Sequence, residues 1–307
     1  MTPAQRRKRI ASFKKGKKRP LLRLLILPTV VVLFAAYLLL FSKYYSSKEK
    51  LSMVIASPDG SVVVSVLDPK NDEITNIAIP KNTQVEAARQ LGTWKIKSIW
   101  ELGRNEKLGG VLLKDTIIKN FKFPVSVWVD EGGYGFASGD SLGIIKAMFF
   151  PYDTNLGMGD RLRIGVFSLS LTNLKRTEID LTKTAYLKKV KLTDGEEGYV
   201  LSGKLPRDLL VVFSDPEISR LGLKVNIKDA SGKLGVAQEV AEVIEVMGAK
   251  VAAVTKEPKK QSDCRIWGSG FFAKDISRLL SCKLEKEPPR GSFDLEIEIG
   301  EGFSGRF

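Results

Sequence analysis

The longest unbroken apolar run, residues 24–41 (LLILPTVVVLFAAYLLLF), holds 18 residues without a charge. As a helix it is about 27 Å long, close to the ~30 Å hydrocarbon core of a bilayer. Pro28 falls near its first turn, where a missing N–H costs little. The run has no polar face, which separates it from a buried core helix. The FSKYYSSKEK that follows lacks the small-x-small site of a cleaved leader. An uncleaved transmembrane helix is expected, with Tyr37, Tyr44 and Tyr45 at its outer interface.

Downstream the pattern changes to short periods. Residues 42–50 are polar and predict a stalk. Residues 51–80 read as a β-meander, with an apolar run at 62–67, a DPKND turn, and Ile74, Ile77 and Ile79 before Pro80. Over 83–103, Val85, Ala88 and Leu91 have helical spacing, with a break at Gly92 and a further turn through Ile96, Ile99 and Trp100. A second helix is expected at about 110–120, then a strand in FPVSVWVDEGG. Residues 142–150 fit a helix, and 159–176 fit a helix or a strand. From 177 to 210 charged and β-prone residues alternate, predicting a two- or three-stranded ribbon, and 213–222 reads as a linker.

The last part is the most regular. A strand at 223–227 and a glycine-containing loop lead to a helix whose inward face is Val236, Ala237, Val240, Ala241, Ile244 and Met247, with Gly248 at its C-cap. A strand at 249–254 and a helix at 270–282 follow, the latter with Phe272, Ile276, Leu279 and Leu280 inward. In FDLEIEIG alternation is strict, so Asp294, Glu296 and Glu298 are expected on a solvated sheet face. The fold class is α/β: a single N-terminal transmembrane helix, a mixed α/β domain and a smaller C-terminal α/β domain. The expected boundaries are 1–23 basic tail, 24–41 transmembrane helix, 42–50 stalk, 51–176 first domain, 177–220 β-rich connector and 221–307 last domain.

Charge fixes the orientation. Of the net +14, ten positive charges lie between Arg6 and Arg23, and no acidic residue occurs before Ser42. The tail is therefore cytoplasmic and the rest lies outside. The part beyond the membrane carries only about +4, so nucleic acid is not an expected partner. The basic tail suits anionic lipid headgroups instead. The absence of histidine removes Ser–His–Asp and Cys–His mechanisms and imidazole-ligated metals. Cys264 and Cys282 are too few for a thiolate zinc site and, outside the cell, are expected to form a disulfide; two buried thiols are the alternative.

The C-terminal pattern resembles the LytR C-terminal domain of bacterial envelope proteins. Val225, Ile227, Ser231, Gly232, Gly235, Val236, Ala237, Gly248, Val251, Asp294 and Gly300 fall on that family's positions. Asp229, Ala230 and Ala249 replace its Asn, its first Gly and its aromatic residue. Residues 57–133 resemble a LytR-CpsA-Psr (LCP) domain through the strand from Ser61 to Asp68, Pro69 and Lys70, and then Ile79, Pro80, Lys81, Asn82 and Thr83. KIKSIWELG and the following GGVLLKDTIIKNFKFPVSVWV continue the likeness.

That resemblance implies a single-pass protein of the bacterial cell membrane with extracytoplasmic domains. It also implies a phosphotransferase fold that moves glycopolymer from polyprenyl-pyrophosphate lipid to the cell wall, with arginines clamping diphosphate and aspartates serving Mg²⁺ and proton transfer. In this chain Lys81 and Asn82 stand at the Arg and Asp of the family's Pro-Arg-Asp-Thr motif. The first-strand Asp falls on Gly60, beside Asp59, and an Arg falls near Pro58. A lysine cannot grip two oxygens as a guanidinium does, and an amide is a poorer Mg²⁺ ligand than a carboxylate.

The leading expectation is therefore a non-catalytic binding or assembly factor with no cofactor. Its expected partners are the bilayer, wall glycopolymer or polyprenyl-linked precursor, and envelope proteins. The alternative is an active transferase using Mg²⁺, Asp59, Lys81, Arg161 and Arg163. A membrane-bound transcriptional regulator ranks last, because no helix-turn-helix pattern is present. Gly232 and Gly235 are a weaker candidate anion site at a helix start.

Overall fold

A computed structural model describes residues 42–307. The expected basic tail (1–23) and transmembrane helix (24–41) lie outside the described residues. Among the described residues no helix is long and apolar enough to cross a membrane.

Three antiparallel strands, β1 (Leu51–Ala56), β2 (Val62–Asp68) and β3 (Glu73–Ile79), form the expected meander. Their alternation divides the apolar residues between two faces. Val54, Val64 and Ile77 pair across one face, beneath α1 (Ile99–Asn105) and α2 (Gly110–Phe121). Met53, Ile55, Leu67 and Ile74 point the other way, under α3 (Ser141–Phe149) and α4 (Met158–Ser170). The result is a three-layer α/β/α unit with strand order β6-β1-β2-β3-β7, where β6 is Val127–Val129 and β7 is Arg176–Asp180. Both outer strands run parallel to their neighbours.

Of the helical segment expected over 83–103, the part before Ile96 is instead a small hairpin of β4 (Gln84–Glu86) and β5 (Thr93–Lys95), and the turn through Ile96, Ile99 and Trp100 is helical. Arg89, Gln90 and Gly92 all have positive φ (63°, 59° and 84°), which breaks helical propagation. The Glu86 and Ala88 N–H groups donate to Asn120 Oδ1 and Thr116 Oγ1 on α2, at 3.0 and 3.1 Å. Side chains of the next helix thus take donors that a local helix would have used. Single 3-10 turns occur at Ala88–Gln90 and Ile96–Ser98, and the first α-helix is α1.

Residues 42–50 are docked rather than extended as a stalk. The buried Asp160 carboxylate, in the first turn of α4, accepts from the Tyr44 and Tyr45 N–H groups at 2.8 and 3.0 Å and from Ser42 Oγ. Tyr44 and Tyr45 pack on the α3–α4 side of the core.

Between the two sheets, β7 joins the first one, and β8 (Leu187–Lys191) and β9 (Glu197–Leu201) form the ribbon. Two short helices, α5 (Arg207–Phe213) and α6 (Pro216–Leu221), occupy the segment expected as linker. Asp215 caps α6, accepting from Glu217 N–H at 2.7 Å.

The C-terminal unit contains the elements expected there: β10 (Lys224–Ala230), α7 (Val236–Val246), β11 (Lys250–Lys256), α8 (Gly270–Leu280) and β14 (Leu295–Gly300). It adds β12 (Cys264–Gly268), β13 (Lys283–Leu284) and a terminal helix, α9 (Glu301–Arg306). The sheet order is β11-β10-β14-β12-β13. Cys264 and Cys282 form a disulfide that ties β12 to the end of α8.

Of the three acids expected on a solvated face, Asp294 is exposed just before β14, but the two within the strand are not. Glu296 is 3% exposed and Glu298 9%, because β14 lies centrally and long lysine side chains fold over the carboxylates. Lys228 Nζ meets Glu296 at 2.7 Å, and Lys260 pairs with both Glu298 and Glu257. The hydrogen bond from Lys260 holds Glu257 below the usual carboxylate range.

Both units share one apolar core, which runs from β2 through α2 to α7 and α8.

Candidate functional site

The loop from β1 to β2 doubles back tightly. Ser57 O accepts from Gly60 N–H at 3.0 Å, and Ser61 O accepts from Ser57 N–H at 2.9 Å. Gly60 has φ +82°, which a side chain disfavours. Beside this turn lies a cleft of about 230 Å³ lined by Ser57, Pro58, Gly60, Lys97, Trp100, Glu101, Arg104, Asp130, Glu131 and Asp153 among others. Glu101 and Arg104 lie on α1, Lys97 lies in the turn just before it, and Asp130 and Glu131 follow β6 directly. Trp100 meets Trp128 edge-on at 6.0 Å and forms a rigid floor next to the cleft.

Asp59 belongs to the turn itself. Its carboxylate accepts from Ser61 Oγ at 2.6 Å and Ser61 N–H at 3.0 Å, and these bonds hold it below the usual carboxylate range. Lys81 is exposed on the loop after β3, and its carbonyl accepts from the Lys97 N–H at 3.3 Å. Lys97 thus lines the cleft next to the Lys81 loop, while neither Asp59 nor Lys81 is among the residues that line it.

The structure does not bring Arg161 and Arg163 to the cleft as free cations. Arg161 Nε donates to the Ala147 carbonyl at 3.0 Å, and its Nη2 donates to the Phe150 carbonyl. Its guanidinium lies over the Tyr152 ring, 4.1 Å from the centroid. These bonds cap the end of α3 and take two of the guanidinium's five N–H donors. Burial pushes the Tyr152 phenol up to about 12, with the Arg161 charge opposing. Arg163 acts electrostatically on Tyr45, as does Asp72 in the β2–β3 turn, at the opposite end of the sheet from Asp59.

Among the lining acids, Asp130 is also structurally committed. It accepts from Gly132 N–H at 2.8 Å and Asp153 N–H at 2.9 Å. Glu101 pairs with Arg104 at 3.2 Å. Among the described residues no three Asp, Glu, Cys or His groups are placed to hold a metal ion. Asp59 is engaged by Ser61, and Asn82 offers an amide rather than a carboxylate.

Gly232 and Gly235 lie far along the chain in the β10–α7 loop, with φ +72° and +89°. That loop is closed internally: Ser231 Oγ donates to Asp229 at 2.5 Å, and Lys233 Nζ donates to the Ser304 carbonyl at 3.1 Å.

The cleft residues not singled out from sequence are Lys97, Trp100, Glu101, Arg104, Asp130, Glu131 and Asp153. The i, i+4, i+7 spacing of Lys97, Glu101 and Arg104 marks one helical face and is the signal that finds them. Nothing in the sequence marks the three acids.

No family model matches the chain, and no curated protein does. Similar solved structures include TagT of B. subtilis, with TM-score 0.38 and 13% identity over 52% of this chain and 87% of that one. TagV of B. subtilis gives TM-score 0.36 and 12% identity over 50% and 92%. The LytR-CPS2A-psr family protein YwtF (TagT) with bound octaprenyl pyrophosphate lipid gives TM-score 0.37 and 12% identity over 52% and 86%.

Proposed function

We propose that this chain is a membrane-anchored, extracytoplasmic envelope protein related to the LytR-CpsA-Psr group, and that it binds or assembles rather than transfers. One observation carries the non-catalytic part: the cleft lining holds four carboxylates against two cations, Lys97 and Arg104. A diphosphate needs converging positive forks. Here one such fork, Arg161, donates to the carbonyls of α3. The Trp100 floor and the polar rim suit a hydroxyl-rich glycopolymer or a partner protein better than a phosphoanhydride.

The placement of Lys81 beside Lys97 favours the second reading, an active phosphotransferase. Both readings meet in one assay: the full chain in detergent, a polyprenyl-pyrophosphate analogue, and Mg²⁺ present or absent. The expected result is no Mg²⁺-dependent binding and no turnover. Turnover that drops on Lys81→Ala would overturn the non-catalytic reading. Protease added outside intact cells should digest residues 42–307, and protection of them would reverse the topology.

A further inference from the structure

Helices α3 and α4 pair as an antiparallel hairpin whose inner residues join the core. Gly165 lets them approach closely, because a Cβ there would collide with Met148. Their outer residues remain apolar. On α3, Leu142 and Ile145 lie one turn apart, and Phe149 and Phe150 follow at its end. On α4, Val166 and Leu169 face outward. Leu142 is 69% exposed, Phe150 62% and Val166 58%. Such a cluster on two adjacent helices is more than scattered surface apolarity and marks a contact surface.

Three observations identify what covers it. The hairpin lies where the described chain begins, since Ser42, Tyr44 and Tyr45 bond Asp160 at the start of α4. The next residue, Arg161, holds the Phe150 carbonyl, so the apolar surface starts within a turn of Ser42. Immediately before Ser42 runs the 18-residue apolar segment 24–41. Of the charges around this surface, Lys146, Arg163 and Lys175 lie on or just after the two helices and exposed Lys43 is nearby, while exposed Asp140 and Asp153 stand at the two ends of α3. Apolar side chains with several cations along them, and acids only at the ends of α3, suit the headgroup boundary of an anionic bilayer.

We propose that the exposed edge of the α3–α4 hairpin rests on the outer leaflet of the membrane that holds residues 24–41. Docking there would fix how the ectodomain stands on the membrane. The proposal rests on the membrane-anchored reading above, and its test separates the two.

The full chain carries one added cysteine at a time, Leu142→Cys, Phe150→Cys or Val166→Cys, with Lys191→Cys on the β8–β9 ribbon as control. Each is labelled with an environment-sensitive fluorophore. The protein is placed in vesicles of equal parts phosphatidylglycerol and phosphatidylcholine with brominated acyl chains. The expected result is loss of emission at Leu142, Phe150 and Val166 and none at Lys191. A Phe150→Glu, Val166→Glu double variant should restore emission at Leu142. Emission at all three positions matching the Lys191 control overturns the proposal. So does a blue shift without bromine quenching, which would mean that a protein covers the face. A carbonate wash reads the anchor separately. Release of the protein counts against residues 24–41 as a spanning helix, while quenching before the wash decides the surface.

Discussion

The first sheet meets helices on both faces, whereas the second meets helices on one face and ion pairs on the other. The difference is written in the strands. In β2, VVVSVLD is apolar in both directions and buried throughout, as a strand between two helical layers must be. In β14, LEIEIG alternates, yet it too is buried at every position. Alternation tells which face is apolar, but not whether the polar face is wet. Wetness depends on the neighbours, and here Lys228 and Lys260 lay their aliphatic stems across Glu296 and Glu298.

The contact that joins the two halves offers the most forceful way to break this comparison. Lys114 on α2 is buried and donates to the Leu279 carbonyl at the end of α8 at 3.0 Å. It also pairs with the buried Asp115 at 3.2 Å. Lys114→Ala leaves that helix end without its cation and Asp115 with only the more distant Arg89, at 3.9 Å, which should cost about 3 kcal/mol, the lower end for a broken buried pair. Urea unfolding followed by tryptophan emission measures it. Because the core is continuous, the loss should appear as one shifted transition. Two separate transitions would mean that the halves fold independently.

The ion-paired face gives a smaller and more discriminating effect. Glu296→Leu strands Lys228 on a largely covered face, and about 2–3 kcal/mol should be lost, somewhat less than for a fully buried partner. Adding Lys228→Met should recover most of it, since an apolar pair of similar volume does not carry the desolvation cost. If the double variant stays as unstable as the single one, the lysine is held by its other partner, Glu257 at 3.9 Å, and the network acts as a unit.

How much of this was readable in the sequence follows the same division. Local periodicity found the meander, α2, α7 and α8, because Val236, Val240 and Ile244 or Phe272, Ile276 and Leu279 mark one face without outside help. It failed over 84–95, where Asn120 and Thr116, some thirty residues away, capture the backbone donors. It passed over β12, whose five residues pair with β14, about thirty residues on. The site divides likewise. Asp59 and Lys81 were singled out by their turn and motif positions, but neither lines the cleft. Neither the capture of Arg161 by the end of α3 nor the meeting of Asp130 with Asp153 has a sequence signature, since both depend on how separate elements dock.

The mildest test concerns the seam itself. Asp275 on α8 borders a small cavity with Tyr44, Glu49, Lys50 and Arg278. Burial pushes its carboxyl up to about 7, with the Glu49 charge adding and Arg278 opposing. A carboxyl raised in the folded state keeps its proton after the unfolded chain has lost it. Between its ordinary value of 3.8 and about 7 the folded state therefore binds more protons, and stability falls as pH rises. The slope from this group is at most about 1.4 kcal/mol per pH unit. It should be smaller in practice, because the side chain is 25% exposed. Asp275→Asn should flatten the pH dependence of the urea midpoint across that window and leave the protein more stable than the parent above it. At acid pH, where both forms of the parent carry the proton, the two proteins should match. An unchanged slope in the Asn variant would place the titrating group elsewhere, with Glu49 across the same seam the next to replace.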